Sequence, residues 1–491
     1  MLLKRVHQNL KFLSDEEIIE IHNTSLKILE NIGCYVPHYK ILEILDGRHG
    51  VNIDLNKKIV KFEKKYVEEV LKGAPKSFEV VPAYFENRFK VGDGVLKLWM
   101  NYTQDMCDWV NHERKLCSNE DMMKGIILGN ILPFVGTNNV VAAPEGIPSE
   151  VADIYCWYML YKYSAKACNS FIYNLHSARY ILEMAISMAG SVEDLKRKKN
   201  LMYFAESISP LRWGTHTLDI MLLYSQYEIP IFLGPILSSG GSGPVTLAGS
   251  LALANAEILS GIIILNALNE KQPIIYPVLT TPMNMRTAMI SFGAPEMALL
   301  SAAGVQIANF YGFPSSGNVH LSDSNIADFQ YGYEKATTFS LALAAGMEMW
   351  GIIGYSAAGH MGTNPGLSSL EGITLDNECF GYMTRILNGI EVNKDTLAYN
   401  VIKEVGIGGN FLATHHTADR FKNELWNPDI FVRQSYSEWL ASGKRTAVEN
   451  TIERTDKIIK DNWPCEKVID SSKEKELDKI FNSAKKHMLD K

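Results

Sequence analysis

The chain lacks the cysteine pattern of a secreted or metal-binding protein. It has seven cysteines among 491 residues, at irregular spacing and without a C-x-x-C pair. Free thiols in a reducing compartment fit this usage better than a disulfide framework. The N-terminus also lacks a sustained apolar core, and no later stretch of about 18 or more uninterrupted apolar residues could span a bilayer. We therefore expect a cytoplasmic protein without a membrane span.

A basic run that could follow a phosphate backbone is missing as well. The 48 basic and 55 acidic residues are spread along the chain and give a net charge of −7, so we expect no nucleic-acid partner. Hydrophobic residues make up 46% of the chain and charged residues 21%. These are ordinary values for a globular protein, and a chain of this length can bury a large core.

From about residue 95, short apolar runs alternate with longer segments of helical periodicity. This alternation is typical of repeated βα units, and the near-continuous apolar runs predict parallel strands covered on both faces. A doubly wound sheet would need G-x-G-x-x-G after its first strand, and none is present there. We therefore predict an α/β fold with a (β/α)₈ TIM barrel over residues 95–394. Its eight strands are expected to begin near Leu96, Phe134, Ala167, Leu201, Pro230, Pro273, Gly312 and Met347.

The regions on both sides of the barrel are predicted to be mainly helical. Ser14 to Glu17 has a capping-box pattern ahead of helical apolar spacing. A candidate hairpin at residues 51–62 and a short helix from Lys64 to Lys72 follow, which completes an N-terminal extension over residues 1–94. Residues 395–491 are predicted as a helical segment that forms a C-terminal cap or an oligomer arm. We expect a homo-oligomer.

A barrel places its binding site where the strands end, so the residues at those positions are the candidates. Aromatic and amide side chains dominate them, and ring faces attract a permanent cation, whereas an arginine fork can bind a carboxylate. Each ring has an alternative role in filling the barrel, each histidine in a loop hydrogen bond, and each arginine in a rim salt bridge. The predicted substrate-binding residues are Tyr102, Tyr173, Arg212, Trp213, Tyr276, Arg286, Asn318, His320, Tyr355 and His360. No residue is assigned a catalytic role.

Metal-site patterns are also missing from the strand ends. No His-x-His stands there, and Cys168 is the only cysteine within a predicted strand. We therefore expect no bound metal. The Gly-Gly-Ser-Gly stretch at residues 240–243 has two interpretations, a phosphate cradle at a helix N-terminus or a flexible βα loop.

Several strings resemble the trimethylamine methyltransferase family. They are PVTLAGSLALANAEILSGI (244–262), MNMRTAM (283–289), FGAPEMALLSAA (292–303) and DFQYGYEKA (328–336). The opening segment LSDEEIIEIHNTSLKILENIGCYV and the later VIKEVGIGGNFLATHHTADRF resemble the family too, so the similarity covers nearly the entire chain. The resemblance implies a (β/α)₈ barrel and methyl transfer from an amine to a cognate corrinoid protein, which carries cobalamin.

One departure bears on the substrate. Trimethylamine-using members of the family carry a pyrrolysine inside the barrel, whereas this sequence contains only the standard twenty residues. The chain is thus similar to the branch without pyrrolysine, which implies a quaternary amine such as glycine betaine. We expect the loop from Gly317 to Ile326, with His320, to stand where the special residue would lie.

The resemblance also implies roles for the candidate residues. Tyr173, Trp213, Tyr276 and Tyr355 would surround the ammonium, and Arg212, Arg286 or His320 would anchor a carboxylate deep in the barrel. Two alternatives remain open: a zinc-assisted methyltransferase for another methyl donor, and a non-catalytic quaternary-amine binding protein.

Overall fold

The computed structural model describes residues 10–100, 102–357 and 366–490. Its first helix begins at a capping box, in which the Glu17 backbone N–H donates to Ser14 Oγ and the Ser14 N–H donates to the Glu17 carboxylate. The predicted opening helix, hairpin and second helix are confirmed. The N-terminal elements are α1 (Asp15–Asn31), β1 (Cys34–Tyr35), α2 (Tyr39–Leu45), β2 (Val51–Asp54), β3 (Ile59–Phe62), α3 (Lys64–Gly73), β4 (Phe78–Val80) and β5 (Phe89–Val91).

Strands and helices then alternate through the central part of the chain. In order they are β6 (Lys97–Met100), β7 (Asp105–Asp108), β8 (Glu113–Lys115), α4 (Asn119–Ile131), β9 (Val135–Asn138), α5 (Ala152–Tyr163), β10 (Ala167–Cys168), α6 (Leu175–Ala189), α7 (Val192–Lys198), β11 (Tyr203–Ile208), β12 (Arg212–Trp213), α8 (Thr215–Ser225), β13 (Ile231–Pro235), β14 (Ser238–Ser239), α9 (Leu247–Leu268), β15 (Ile274–Val278), β16 (Thr281–Asn284), β17 (Met289–Ile290), α10 (Pro295–Tyr311), β18 (Ser315–Gly317), α11 (Phe329–Ala344), β19 (Met349–Ile353), β20 (Tyr355–Ala357), β21 (Leu367–Ser368) and α12 (Leu370–Leu387).

Eight of these strands run parallel and begin at the predicted places. Their order in the sheet is β10-β9-β6-β19-β18-β15-β13-β11, so the last of them in the chain, β19, pairs with the first, β6. Among the described residues, no ladder hydrogen bond joins β10 to β11. The α/β class is thus confirmed, while the hydrogen-bonded ladder is open at this seam and closure of the barrel stays a prediction.

The inner face of this curved sheet holds an apolar cluster of its own. Because side chains alternate between the two faces of a strand, a second and larger set faces the helices instead. The inner cluster also includes the hairpin β4–β5, which therefore packs against the amino-terminal ends of the strands. Its buried members are Phe78, Val80, Val91, Trp99, Ala167, Met202, Phe232, Ile275 and Met349.

Helix α9 is the most apolar helix of the described chain. By length and composition it could cross a membrane, but 83% of its apolar window is buried inside the protein. It packs between the strands and helix α1, where Ser25 Oγ donates to the Ala252 carbonyl at 2.8 Å. These features are typical of a core helix of a soluble protein.

The C-terminal segment returns to the body through two long helices. It consists of α13 (Tyr399–Val405), α14 (His415–Glu424), α15 (Tyr436–Ala441), α16 (Ala447–Asn462) and α17 (Ser471–Leu489). Thr455 of α16 hydrogen-bonds Thr374 of α12 at 2.8 Å, and Phe481 of α17 stacks on Tyr158 of α5 at 4.8 Å between ring centroids. The division at residues 94 and 394 stays a prediction. All seven cysteines are free, as expected.

Candidate active site

The carboxyl ends of the parallel strands bring together side chains from distant parts of the sequence. Phe204 packs on the inner apolar cluster, and Glu206 lies two residues further along β11, so alternation places its side chain on the same inner face. Ser316 pairs with Met349 of the cluster, which places Asn318, two residues later, on the inner face as well. We call the space above these residues the mouth.

Three aromatic rings form a ring cluster in the segments that follow β6 and β10: Tyr102, Phe171 and Tyr173. The Tyr102 and Tyr173 hydroxyls hydrogen-bond each other at 2.9 Å. The Phe171 ring lies 5.0 Å from the Tyr102 ring and is stacked on Tyr173 at 6.4 Å, between centroids. Phe171 and Tyr173 are 48% and 44% exposed. The loop after β10 thus presents ring faces to solvent.

The first turn of α8 holds this loop beside the end of β11. His216 Nε2 donates to the Tyr173 carbonyl at 2.5 Å, and the next residue, Thr217, donates to the Glu206 carbonyl at 3.3 Å. Two consecutive residues therefore join the backbone at Tyr173 to the backbone at Glu206.

Asp153 of α5 holds the loop after β10 in place through hydrogen bonds. Its carboxylate accepts the Tyr173 backbone N–H at 2.7 Å and the Ser177 hydroxyl at 3.0 Å, and the side chain is buried. Burial raises the pKa of Asp153, although these hydrogen bonds lower it. The position of the Tyr173 ring thus depends on a buried carboxyl.

Glu206 combines solvent contact with a strongly perturbed pKa. Its side chain is exposed, yet enough protein surrounds the carboxyl that burial raises its pKa to about 7. Among the described residues, no side chain hydrogen-bonds or pairs with this carboxylate. A group in this state is accessible to water and can change its charge near neutral pH.

The predicted site residues divide into distinct groups. Tyr102 and Tyr173 belong to the ring cluster, and Asn318 is buried on the inner face. Arg212 and Arg286 are exposed, the first on the short strand β12 and the second in the turn between β16 and β17. Neither arginine reaches deep into the strands, so the predicted deep anchor is corrected to a position on the rim.

Three other predicted residues face the helices, and this corrects their expected place around the ammonium. The Tyr276 hydroxyl donates to Asn255 Oδ1 at 2.8 Å, and the Trp213 indole N–H donates to Ser260 Oγ at 2.9 Å, both partners being on α9. His320 is buried against the rings of Phe339 and Phe380. The physical reason is strand alternation: Tyr276 follows Ile275, which faces inward, and so Tyr276 faces outward.

His320 belongs to a buried charged group behind the mouth. Asp376 accepts from Lys335 Nζ at 2.9 Å and from the Gly354 backbone N–H at 2.8 Å, and His320 Nδ1 lies 3.6 Å from its other oxygen. Burial opposes ionisation of Asp376, yet Lys335 and His320 hold its pKa below the usual value. Burial lowers the pKa of His320. A Lys335–Asp376 ion pair beside a neutral imidazole thus supports the ends of β18 and β19.

Two predicted residues and two predicted features remain. His360 lies outside the described residues, and Tyr355 is the first residue of β20. Within the described ranges, no group of three or more His, Cys, Asp or Glu residues is arranged to hold a metal ion. The Gly241 and Gly243 N–H groups donate to the Ser238 carbonyl, which favours the loop interpretation of residues 240–243.

The predicted site residues include neither Glu206, which stands among the strand-end residues of the sequence, nor Phe171. Glu206 stands at a strand end, and the alternation of the segment Tyr203–Ile208 could have identified it as inward-facing. No sequence signal identifies Phe171, because its position depends on tertiary contacts with the rings of Tyr102 and Tyr173.

The chain matches one protein family along almost its whole length. Residues 1–488 match the family described as trimethylamine methyltransferase (MTTB). A glycine betaine methyltransferase of Desulfitobacterium hafniense (strain Y51) is 28% identical over 87% of this chain and 88% of its own. A trimethylamine methyltransferase MttB of Desulfitobacterium hafniense (strain DSM 10664 / DCB-2) is 26% identical, covering 92% and 90%.

A solved structure, the hydroxylamine MtmB complex, overlaps with a TM-score of 0.42 at 13% identity and covers 97% of this chain and 94% of its own. An overlap at this score supports no argument about the fold. The family match and the relatives named methyltransferases confirm the predicted family. This chain therefore belongs to the trimethylamine methyltransferase family and is a methyltransferase.

Proposed function

We propose that the enzyme moves a methyl group from a small quaternary amine, of the glycine betaine class, to the cobalt of a corrinoid carried by a separate protein in the cytoplasm. The observation that supports the proposal is that the ring cluster and the water-accessible carboxyl of Glu206 both follow parallel strands and are joined through the first turn of α8. Rings and a carboxylate together suit a permanent cation. The glycine betaine methyltransferase among the relatives supports the substrate class.

The proposal includes a closed (β/α)₈ barrel with the mouth at its carboxyl end. Eight parallel strands, each followed by a helix, and the pairing of β19 with β6 support it. In such a barrel, residues from several strand ends share one site, which is how Tyr102, Tyr173, Glu206 and Asn318 come together. β10 has only two residues, so little backbone is available to pair with β11.

The chain's own residues have limited chemistry to do. A quaternary ammonium leaves as a neutral tertiary amine, so the amine needs no proton from the enzyme. Tyr102 and Tyr173 would hold the ammonium against their ring faces, Glu206 would attract its charge, and the Asn318 amide would donate to a substrate carboxylate. Arg212 and Arg286 would act at the rim, where they meet an approaching carboxylate before the substrate is enclosed.

The corrinoid, when its carrier protein docks, supplies the reduced cobalt that accepts the methyl group. Phe171 and Tyr173, whose exposed rings are stacked on each other, would contact the face of the macrocycle. The ring cluster orients one methyl group outward and keeps water from the carbon that is transferred.

The test mixes the purified enzyme with Co(I) cobalamin under anaerobic conditions and a panel of glycine betaine, other betaines, carnitine, choline and trimethylamine. We expect one or more carboxylated quaternary amines to change the visible spectrum of cobalamin to that of the methylated form. A reaction with trimethylamine alone would refute the substrate class, and no reaction with any amine, here or with corrinoid protein from betaine-grown cells, would refute the function.

The same preparation separates the two alternatives. A non-catalytic amine-binding protein would bind glycine betaine in calorimetry without methylating cobalamin. A zinc-assisted enzyme would contain stoichiometric zinc in elemental analysis and would lose activity on chelation. We expect activity that is unchanged by chelation.

A further inference from the structure

The C-terminal segment contains an excursion that we call the arm, residues 390–423. Arg385, near the end of α12, holds both of its ends: its Nη1 donates to the Gly389 carbonyl at 2.9 Å and its Nε to the Glu424 carbonyl at 2.8 Å. Between these points the chain leaves the body and returns to it. One side chain thus fixes where the arm starts and where it finishes.

The arm has no core of its own. Its helices, α13 and α14, contain seven and ten residues, and neither has a buried residue. Helices this short are marginal in water without tertiary packing. Hydrogen bonds made by arm side chains, such as those of Asn393 and Thr414, stay within the arm in the described structure. Packing against another molecule would supply the missing burial.

The exposed surface of the arm is apolar to an unusual degree. Nine of its large apolar side chains are exposed, among them Ile407 at 109%, Ile390 at 87% and Leu412 at 81%. Monomeric proteins rarely expose contiguous apolar patches of more than a few hundred Å², and larger patches mark interaction sites. These nine side chains, spread over the whole arm, offer exposed area on the scale of the about 800 Å² that each partner buries in a standard stable interface.

The position of the arm argues against the corrinoid protein as its partner. Helix α12 begins beside the end of β19, where the Ser369 N–H donates to the Gly354 carbonyl at 2.8 Å. It then runs toward the opposite end of the strands, where the Phe134 N–H, immediately before β9, donates to Asn377 at 3.2 Å. The arm leaves from the last residues of α12. A protein that delivers cobalt to the mouth would therefore bind at the other end of the molecule.

The charges of the arm suit a copy of itself. It has four acidic residues (Glu391, Asp395, Glu404, Asp419) and four basic residues (Lys394, Lys403, Arg420, Lys422), whereas the whole chain carries −7. In a two-fold interface the same patch meets itself, so a patch of one sign would repel its copy. A balanced patch avoids this repulsion and can form pairs of opposite charge across the axis.

We propose that the arm is a two-fold interface through which two copies of this chain form a dimer, with the arm of each copy packed on the arm of the other. The exposed apolar side chains of the whole arm, in α13, α14 and the segments before and between them, are buried in the dimer. The mouths of the two copies stay open, because the interface lies at the other end of the strands. The proposal does not depend on the substrate or on the corrinoid.

The test is the mass of the full-length protein in sedimentation equilibrium across micromolar concentrations. The wild type should give twice the 55.0 kDa of one chain. The double variant Ile407→Glu, Leu412→Glu should give 55.0 kDa, because two carboxylates per copy would be desolvated in the interface. A second variant, Ile390→Lys, Val392→Lys, tests the arm at a separate position and should also be monomeric.

The matched control is Ile32→Glu, Leu55→Glu, which places the same charges on apolar residues that are 59% and 58% exposed outside the arm. It should keep the mass of the wild type. Thermal unfolding of every variant checks that the body is folded. A monomeric wild type, or arm variants that keep twice the mass, would overturn the interface. Cobalamin methylation by the same proteins is a separate readout, so a failure of the proposed function leaves the mass result unaffected.

Discussion

At the amino-terminal ends of the eight parallel strands, the hairpin β4–β5 packs Phe78 and Val91 against Trp99 and Phe232. At the carboxyl ends, in contrast, the rings of Phe171 and Tyr173 are exposed and Glu206 contacts solvent. The inward-facing side chains of the same strands line both ends. What differs is the segment that covers them, a buried hairpin at one end and loops with exposed rings at the other.

The two ends of the strands should therefore contribute to different properties, the hairpin end to stability and the mouth to activity. Residues at the hairpin end are fully enclosed by apolar neighbours, so their removal should be felt in folding. Residues at the mouth are held by a few directed hydrogen bonds, so their removal should be felt in methyl transfer. The substitutions below test whether the two ends are as distinct as the structure indicates.

The largest expected effect compares one phenylalanine from each end. Phe232→Ala deletes a ring that is 1% exposed, and such a cavity costs about 3–5 kcal/mol of unfolding free energy. Phe171→Ala deletes a ring that is 48% exposed and should cost less than about 1 kcal/mol. Urea unfolding measures both, and methyl transfer should show the opposite order per folded molecule. Equal destabilisation by the two would remove the distinction between the ends.

The next prediction concerns the buried ion pair behind the mouth. Lys335→Met removes the ammonium partner of the buried Asp376 carboxylate and should cost about 3 kcal/mol. The double variant Lys335→Met, Asp376→Leu removes both charges and should recover most of the loss.

The pH dependence of the unfolding free energy is the control for this prediction. Lys335 lowers the pKa of Asp376, so the wild-type pair stabilises the fold above the unfolded pKa of about 4 and loses that contribution as pH falls through the folded pKa. In Lys335→Met, burial is opposed only by the remaining contact with His320, so the pKa of Asp376 rises and the deficit relative to the wild type should shrink in acid. A deficit that is constant with pH would contradict the ion pair.

The sequence predicted the regular parts of the fold because their signals are local. The capping box at Ser14, the hairpin at residues 51–62 and the start of every parallel strand depend on neighbouring residues or on periodicity, and the structure has them in the predicted places. Closure of the barrel depends on how a two-residue strand, β10, meets β11. That contact is tertiary, and no local pattern encodes it.

The site was harder to predict, since a strand end presents residues to two opposite faces. Tyr276 and Trp213 stand at such ends but face α9, whereas Glu206 faces the mouth. Polarity alone does not distinguish these cases, because a buried tyrosine or tryptophan finds a hydrogen-bond partner on either face. Counting every second residue from Phe204 would have placed Glu206 on the inner face, and counting from Ile275 would have placed Tyr276 on the outer face.

A smaller effect is expected from the charge at the mouth. With a pKa of about 7, Glu206 is neutral in mild acid and gains its negative charge as pH rises through about 7, so the wild type should bind glycine betaine more tightly at pH 8 than at pH 6. Glu206→Gln should weaken binding about tenfold at pH 8, roughly 1.4 kcal/mol, and abolish this pH dependence.

The effect should lie in the dissociation constant, because the positive charge disappears as the methyl group leaves and the carboxylate then stabilises the bound substrate more than the transition state. Calorimetry gives the dissociation constant and turnover gives kcat, so measuring both separates an effect on binding from an effect on the transition state. The control Glu43→Gln changes an exposed carboxylate of α2 and should bind as the wild type does. A fall in kcat without a change in binding would assign Glu206 another role.

The smallest effect should come from the hydroxyl pair of the ring cluster. Tyr173→Phe keeps the ring face and removes only the hydrogen bond of 2.9 Å to Tyr102, which is worth about 0.5–1.5 kcal/mol. We expect kcat/KM for glycine betaine to fall about threefold, in line with ~0.7 kcal/mol. Tyr102→Phe removes the same bond from its other side, so the double variant should fall no further than either single one. Losses that multiply in the double variant would show that each hydroxyl contacts the substrate independently, and the pair would then be part of the binding surface instead of a brace for the two rings.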